Sequence, residues 1–286
     1  MEISFAKEKK NKKINIAKTF SFLKNKNSLF YYYIFLLIVG LFFFISSTWV
    51  NKFTTPFTGD YTSQQYAFYT NGYDDWWHFF KTGEFILYDT NTFLGVNNIG
   101  SNSFYYLFDP FFMPILLCPR QLIPQGMVLL TMFKMATAGL VFYFYMRMLG
   151  ASDKASRISG LAYAFAGWTA WYLWFNHMTE ITIVFPLMLM GVERVLNTKK
   201  PWLLAFSIFI MGITNFFFLV CCTFAAFFYA LFRYFQHIKD KTAKENLTIL
   251  GLGFLGFAVG LMMSCIVVLP AAMVSLNAPR AQNKEY

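Results

Sequence analysis

Residues 29–49 (LFYYYIFLLIVGLFFFISSTW) carry no charge at all. A helix over that stretch spans the hydrocarbon of a bilayer, which takes about 20 residues. An uncharged run of this length leaves the backbone little choice: in lipid only a helix or a closed barrel satisfies its polar groups. Further apolar runs follow at 127–149, 158–175, 181–196, 202–218, 219–235 and 248–270. Read as helices, they make an all-α polytopic transmembrane bundle of about seven spans. The whole chain is 57% hydrophobic and only 13% charged, about half the charge of an ordinary soluble domain. The run 29–49 is too long for a signal-peptide core and lacks a small-residue cleavage site, so it reads as a permanent span.

Charge is placed rather than spread. Lys7, Lys9, Lys10, Lys12, Lys13, Lys18, Lys24 and Lys26 all precede the first span. Residues 1–28 therefore read as a basic cytoplasmic tail drawn to anionic lipid, and nucleic-acid binding is the weaker reading. With the N-terminus inside, residues 50–126 form a long extracytoplasmic loop. Arg147, Lys154, Arg157, Arg194, Lys199, Lys200, Arg233, Lys239, Lys241 and Lys244 then fall inside, as the positive-inside rule asks. Residues 127–275 form the bundle. Residues 276–286 form an outward-facing tail, and the chain reads as the front portion of a longer one. The cysteines, Cys118, Cys221, Cys222 and Cys265, have no metal-ligand spacing and read as packing residues.

The long loop holds six of the fourteen acidic residues: Asp60, Asp74, Asp75, Glu84, Asp89 and Asp109. Carboxylates gathered beside aromatic rings at a membrane surface suit chemistry on a lipid-borne substrate. Within 61–81, Tyr66, Tyr69, Tyr73, Trp76, Trp77 and Phe80 recur at steps of three and four, which predicts an amphipathic helix lying flat on the outer leaflet. Gln65, Asn71, Asp74, Asp75 and His78 fall largely on its other side, and His78 is expected to pair with Asp74. Pro110, Pro114, Pro119 and Pro124 break 104–124, so a short interfacial or re-entrant helix is expected there rather than a span.

Several segments, in order, carry a resemblance: GDYTSQQYAFY, NTFLGVNNIGSNSFYYLFDPFF, LLTMFKMATAGLVFYFYMRMLG, SGLAYAFAGWTAWY and NHMTEITIVFPLMLMGVERVL. Together they cover most of residues 55–200, and they resemble the YfhO family of bacterial membrane proteins. The resemblance implies a GT-C-like fold in the bacterial cell membrane. It also implies a glycosyltransferase that moves a sugar from a polyprenyl-phosphate carrier, on the outer face, to an envelope polymer such as lipoteichoic acid. The competing class is non-enzymatic: a transporter, a lipid flippase or an envelope-assembly scaffold. A transporter should show discontinuous helices in symmetric halves, and the sequence has no such repeat.

The resemblance also implies residue roles. Asp60 matches the acidic residue that GT-C enzymes carry in the first outer loop as general base; the bland reading is a cap on the helix that starts at Tyr61. Gln64 and Gln65 would bind sugar hydroxyls or orient Asp60. Lys134 lies inside an apolar run, where a charge costs roughly 2.5–3.5 kcal/mol and needs a partner or a water path. Its functional reading is a contact to the donor phosphate; its structural reading is a pair with an acid such as Asp109 or Glu180. His177 and Glu180, with Asn176, sit in a short outer turn and could line the same cavity. Tyr105 and Tyr106 could stack on sugar rings or anchor at the interface. Glu193 and Arg194 read as topological. No cofactor is expected; a divalent cation shared with Asp60 is the weaker reading, since adjacent Asp74 and Asp75 diverge on a helix.

Overall fold

The computed structural model describes residues 26–49, 51–54, 59–90, 92, 95–237 and 241–277. Most of the basic tail, residues 1–25, and the closing segment 278–286 lie outside the described residues.

The chain forms ten α-helices among the described residues: α1 Lys26–Thr48, α2 Tyr66–Thr82, α3 Asn98–Asn102, α4 Ile123–Met148, α5 Asp153–Ala164, α6 Gly167–Trp171, α7 Ile181–Thr198, α8 Trp202–Thr214, α9 Phe216–His237 and α10 Ala243–Asn277. A two-residue antiparallel ladder pairs β1 Tyr88–Asp89 with β2 Val96–Asn97. Among the described residues, three helices are long and apolar enough to cross a membrane: Arg120–Met148, Phe216–Gln236 and Ala243–Asn277. Two further apolar stretches, Asn27–Phe43 within α1 and Trp202–Thr214, accompany them. The chain is a helical bundle with membrane spans, three of them met in full length among the described residues.

The centre of the bundle is α4, whose 26 residues reach about 39 Å at 1.5 Å per residue. It packs on α1, α5 and α7; α7 in turn packs on α8 and α9, and α8 on α10. One core cluster joins Met148, Val184, Met188, Ile208 and Met211, and another gathers Tyr69, Tyr106, Phe112, Ile115 and Met127 beneath the polar loop. Leu196, Val195 and Ile249 extend the first cluster toward the opposite end.

Two sequence boundaries move. The run 158–175 is not one span: α5 stops at Ala164, Ala166 is extended, and α6 and two 3-10 turns follow. The cause is polar. Asn176, His177 and Glu180 are drawn into the protein interior by partners on other elements, which a straight continuous helix would carry past them. The 202–218 and 219–235 runs meet instead at Asn215, which is buried and extended. Its Oδ1 accepts from the Phe218 amide at 3.2 Å and caps α9.

Glu193 is also more than a topological marker. It is buried on α7 and receives Arg233 of α9 through both carboxylate oxygens, with the Tyr229 hydroxyl at 2.6 Å. Asn197 fills its remaining acceptor site at 3.0 Å. A buried carboxylate satisfied this fully ties α7 to α9.

Candidate active site beneath the polar loop

Gly59 begins the site. Its φ of +64° is a left-handed value that favours glycine. The turn lets the Thr62 and Ser63 amides close on the Gly59 carbonyl at 3.1 and 2.9 Å, opening a π-helical turn over Tyr61–Gln65 that runs into α2. With those amides taken, Asp60 makes no cap hydrogen bond. Its carboxylate is exposed and receives Gln64, Nε2 to Oδ1 at 3.2 Å. Trp174 approaches Gly59 closely: a Cβ on the glycine would meet its ring at 3.8 Å.

Gln65 turns the other way. It is buried, and His177 Nδ1 donates to its Oε1 at 2.9 Å. Gln65, Tyr69 and Gly72 form one buried stripe at steps of four and three. The aromatic pattern alone had put Gln65 on the far side. The stripe faces protein: Gly72 lies against Tyr106, where a Cβ would come within 2.3 Å of the ring. The Trp76 indole donates to the Leu107 carbonyl at 2.9 Å. So α2 is anchored to 104–112 by one face and does not simply float at an interface; Tyr66, Trp77 and Phe80 are its exposed aromatics. Asp74 pairs with Arg120 through two bonds of 2.8 and 2.7 Å, rather than with His78. The proline-broken stretch holds 3-10 turns at Met113–Leu117 and Arg120–Leu122 and no long helix.

Below this layer lies a buried polar cluster. Lys134 is 2% exposed and Glu180 is fully buried, and the two form an ion pair. The Lys134 ammonium also reaches Asn176 Oδ1 at 2.9 Å, the Asn176 carbonyl at 3.2 Å and the Tyr69 hydroxyl at 3.1 Å. Four protein acceptors surround three N–H groups, so the ammonium is fully occupied. The expectation of a free cation for a lipid phosphate gives way to the structural pairing, with Glu180 as the partner. Asp109 is buried beside them. Burial and the neighbouring Glu180 push its carboxyl well above the usual carboxylate range, despite Lys134.

His177 joins the two layers. Burial, then the Lys134 charge, push its imidazole down to about 3, so it is neutral. Phe104 and Tyr105 pack on its ring at 5.1 and 5.0 Å between centroids. Tyr105 is half-buried; burial and then the nearby Asp60 charge raise its phenol above the ordinary value. Tyr106 is fully buried, its ring against Gly72 and 5.5 Å from Phe112. Its faces are covered, which removes it from direct stacking on a sugar in this conformation. Gln65 Nε2, Asn176 Nδ2 and His177 Nε2 are buried without a hydrogen-bond partner among the described residues, an uncommon concentration in one cluster.

Of the residues singled out in the sequence, Asp60, Gln64, Gln65, Tyr105, His177, Lys134 and Glu180 thus form two connected layers. Tyr69 and Trp174 join them unannounced; the four-residue step from Gln65 to Tyr69 was the available signal for the first. Among the described residues, no three or more His, Cys, Asp and Glu side chains are grouped to hold a metal ion.

A bundle of long apolar helices around a buried ion pair, carrying a polar aromatic layer at one end, is the build of a multi-span membrane protein. The family model described as bacterial membrane protein YfhO matches residues 32–285, and the chain belongs to that family. No curated protein and no solved structure matches it.

Proposed function

We propose that the chain belongs to a GT-C-type glycosyltransferase. It would act at the outer face of the bacterial membrane on a polyprenyl-phosphate-linked sugar, with an envelope polymer such as lipoteichoic acid as acceptor. The observation that carries this reading is the setting of Asp60. It is a solvent-facing carboxylate outside the bundle, steadied by Gln64, flanked by Trp174 and Tyr105, and fixed from below through Gln65 and His177.

Asp60 takes the proton of the acceptor hydroxyl as that oxygen bonds to the anomeric carbon. The bond from that carbon to the carrier phosphate breaks, the phosphate leaves with the electron pair, and the configuration inverts. Trp174 offers an exposed ring to the sugar, while Tyr105, packed on Phe68 at 4.1 Å, borders the site. Lys134 works at a distance, holding the 176–180 turn under the loop.

The test is sugar transfer from a polyprenyl-phosphate donor in membranes expressing the full-length protein, wild type beside Asp60→Asn. Transfer should fall by about 10²-fold or more with membrane levels unchanged. Equal transfer by the variant removes Asp60 from the mechanism, and no transfer by wild type favours a transporter or scaffold.

A further inference from the structure

At the end of α1 remote from Asp60, the first turns of α1 and α5 border an open groove of about 660 Å³. Its lining changes character along its length. Asn27, Ser28 and Arg157 form one end. Tyr31 and Phe35 on α1, with Ile158 and Leu161 on α5, continue it as an apolar trough, and the first three of these are 69%, 47% and 66% exposed.

Arg157 governs the polar end. Its Nε donates to Asp153 at 2.7 Å, one Nη2 proton to Ser28 Oγ at 2.7 Å and one Nη1 proton to the Ser28 carbonyl at 3.3 Å. Among the described residues, two of its five N–H groups have no partner. The guanidinium lies 5.1 Å from the Tyr32 ring and 5.7 Å from the Tyr143 ring, which hold the fork in place. A planar fork with N–H groups to spare suits a phosphate oxygen pair. The charge nearby is positive: Arg147 and Lys154 share this end of α4 and α5, against Asp153.

We propose that this groove is a binding site for an anionic phospholipid, its phosphate on Arg157 and one acyl chain along Tyr31, Phe35, Ile158 and Leu161. A cationic mouth opening into an apolar trough of a membrane-embedded helix pair reproduces the order of groups in that ligand. The trough is lined by large side chains, without the small residues at which membrane helices approach closely.

The test is native mass spectrometry of the delipidated full chain in detergent, titrated with phosphatidylglycerol, phosphatidylcholine and glycerol phosphate. Phosphatidylglycerol should be retained about tenfold more strongly than phosphatidylcholine, the scale of a charge-assisted hydrogen bond, and glycerol phosphate should not be retained. Arg157→Gln should erase the preference. Arg157 also links α5 to α1, so Ile158→Trp is the second variant: it fills the exposed trough, keeps the guanidinium and should weaken retention of both lipids. Equal retention of the two lipids overturns the proposal, as does retention of glycerol phosphate alone. Indifference to Ile158→Trp overturns it too, as does a dimer that this variant dissociates.

Discussion

Gln65 and His177 meet side chain to side chain at 2.9 Å across 112 residues of sequence. This bond joins the π-helical turn that carries Asp60 to the turn that carries Glu180. Everything under the polar loop depends on it: His177 is neutral and buried, so the Gln65 oxygen is the acceptor that its Nδ1 proton requires.

Gln65→Leu should therefore destabilise the fold by about 1–3 kcal/mol, because it strands a buried imidazole N–H. Thermal unfolding in detergent measures it. Gln65→Leu combined with His177→Leu should cost clearly less than the sum of the single changes, as expected for residues in direct contact. Strict additivity would mean the bond contributes nothing.

Lys134 gives the sharpest contrast between a scaffold and a substrate contact. Lys134→Met leaves Glu180 charged and buried, at a cost of about 3–5 kcal/mol. The folded fraction recovered from membranes should fall. Lys134→Met with Glu180→Gln should recover much of it, since the orphaned charge is then gone. A stable Lys134→Met protein that lost only donor affinity would return the lysine to a phosphate-binding role.

The contrast also marks what the sequence could convey. A lysine in an apolar run must find a partner, so the Lys134 problem was visible, and Glu180 was one of two acids named for it. Choosing between them required knowing that α7 packs on α4. The stripe of Gln65, Tyr69 and Gly72 was hidden because aromatic residues occupy both sides of α2, and hydrophobic period alone cannot select a face when Trp77 and Phe80 are as apolar as Tyr69. The end of α5 was hidden for a related reason. Composition stays apolar through Phe165, Ala166 and Gly167, while the force that bends the chain comes from polar atoms ten or more residues on. Asp74 finding Arg120 lies 46 residues away, beyond any local pattern.

Gly72→Ala tests the seam between α2 and the 104–112 segment. Alanine favours a helix by about 1 kcal/mol over glycine. Here the added methyl would lie 2.3 and 2.5 Å from two carbons of the Tyr106 ring. Overpacking of this kind costs about 1–3 kcal/mol and should win. Unfolding temperature should drop, and Tyr106→Leu in the same chain should restore part of the loss by removing the ring. A stabilised Gly72→Ala protein would show that the seam opens freely.

Asp75 makes stability fall as pH rises. Its carboxyl lies above the ordinary value, first through burial and then through the Asp89 and Asp74 charges, although Asn98 donates to it at 3.1 Å. The folded chain therefore holds this proton at pH values where the unfolded chain has released it. Between the ordinary carboxylate pKa, about 3.9, and the higher folded value, each step up in pH costs stability, and the penalty is complete above that folded value. Asp75→Asn keeps an oxygen to accept from Asn98 and removes the charge. The variant should match or exceed wild type at neutral pH, and its advantage should shrink as pH drops through that window. Asp109 titrates in the same direction, so the informative quantity is the difference between the two melting profiles. A difference that stays constant with pH would mean that Asp75 is as easily ionised in the folded chain as in water.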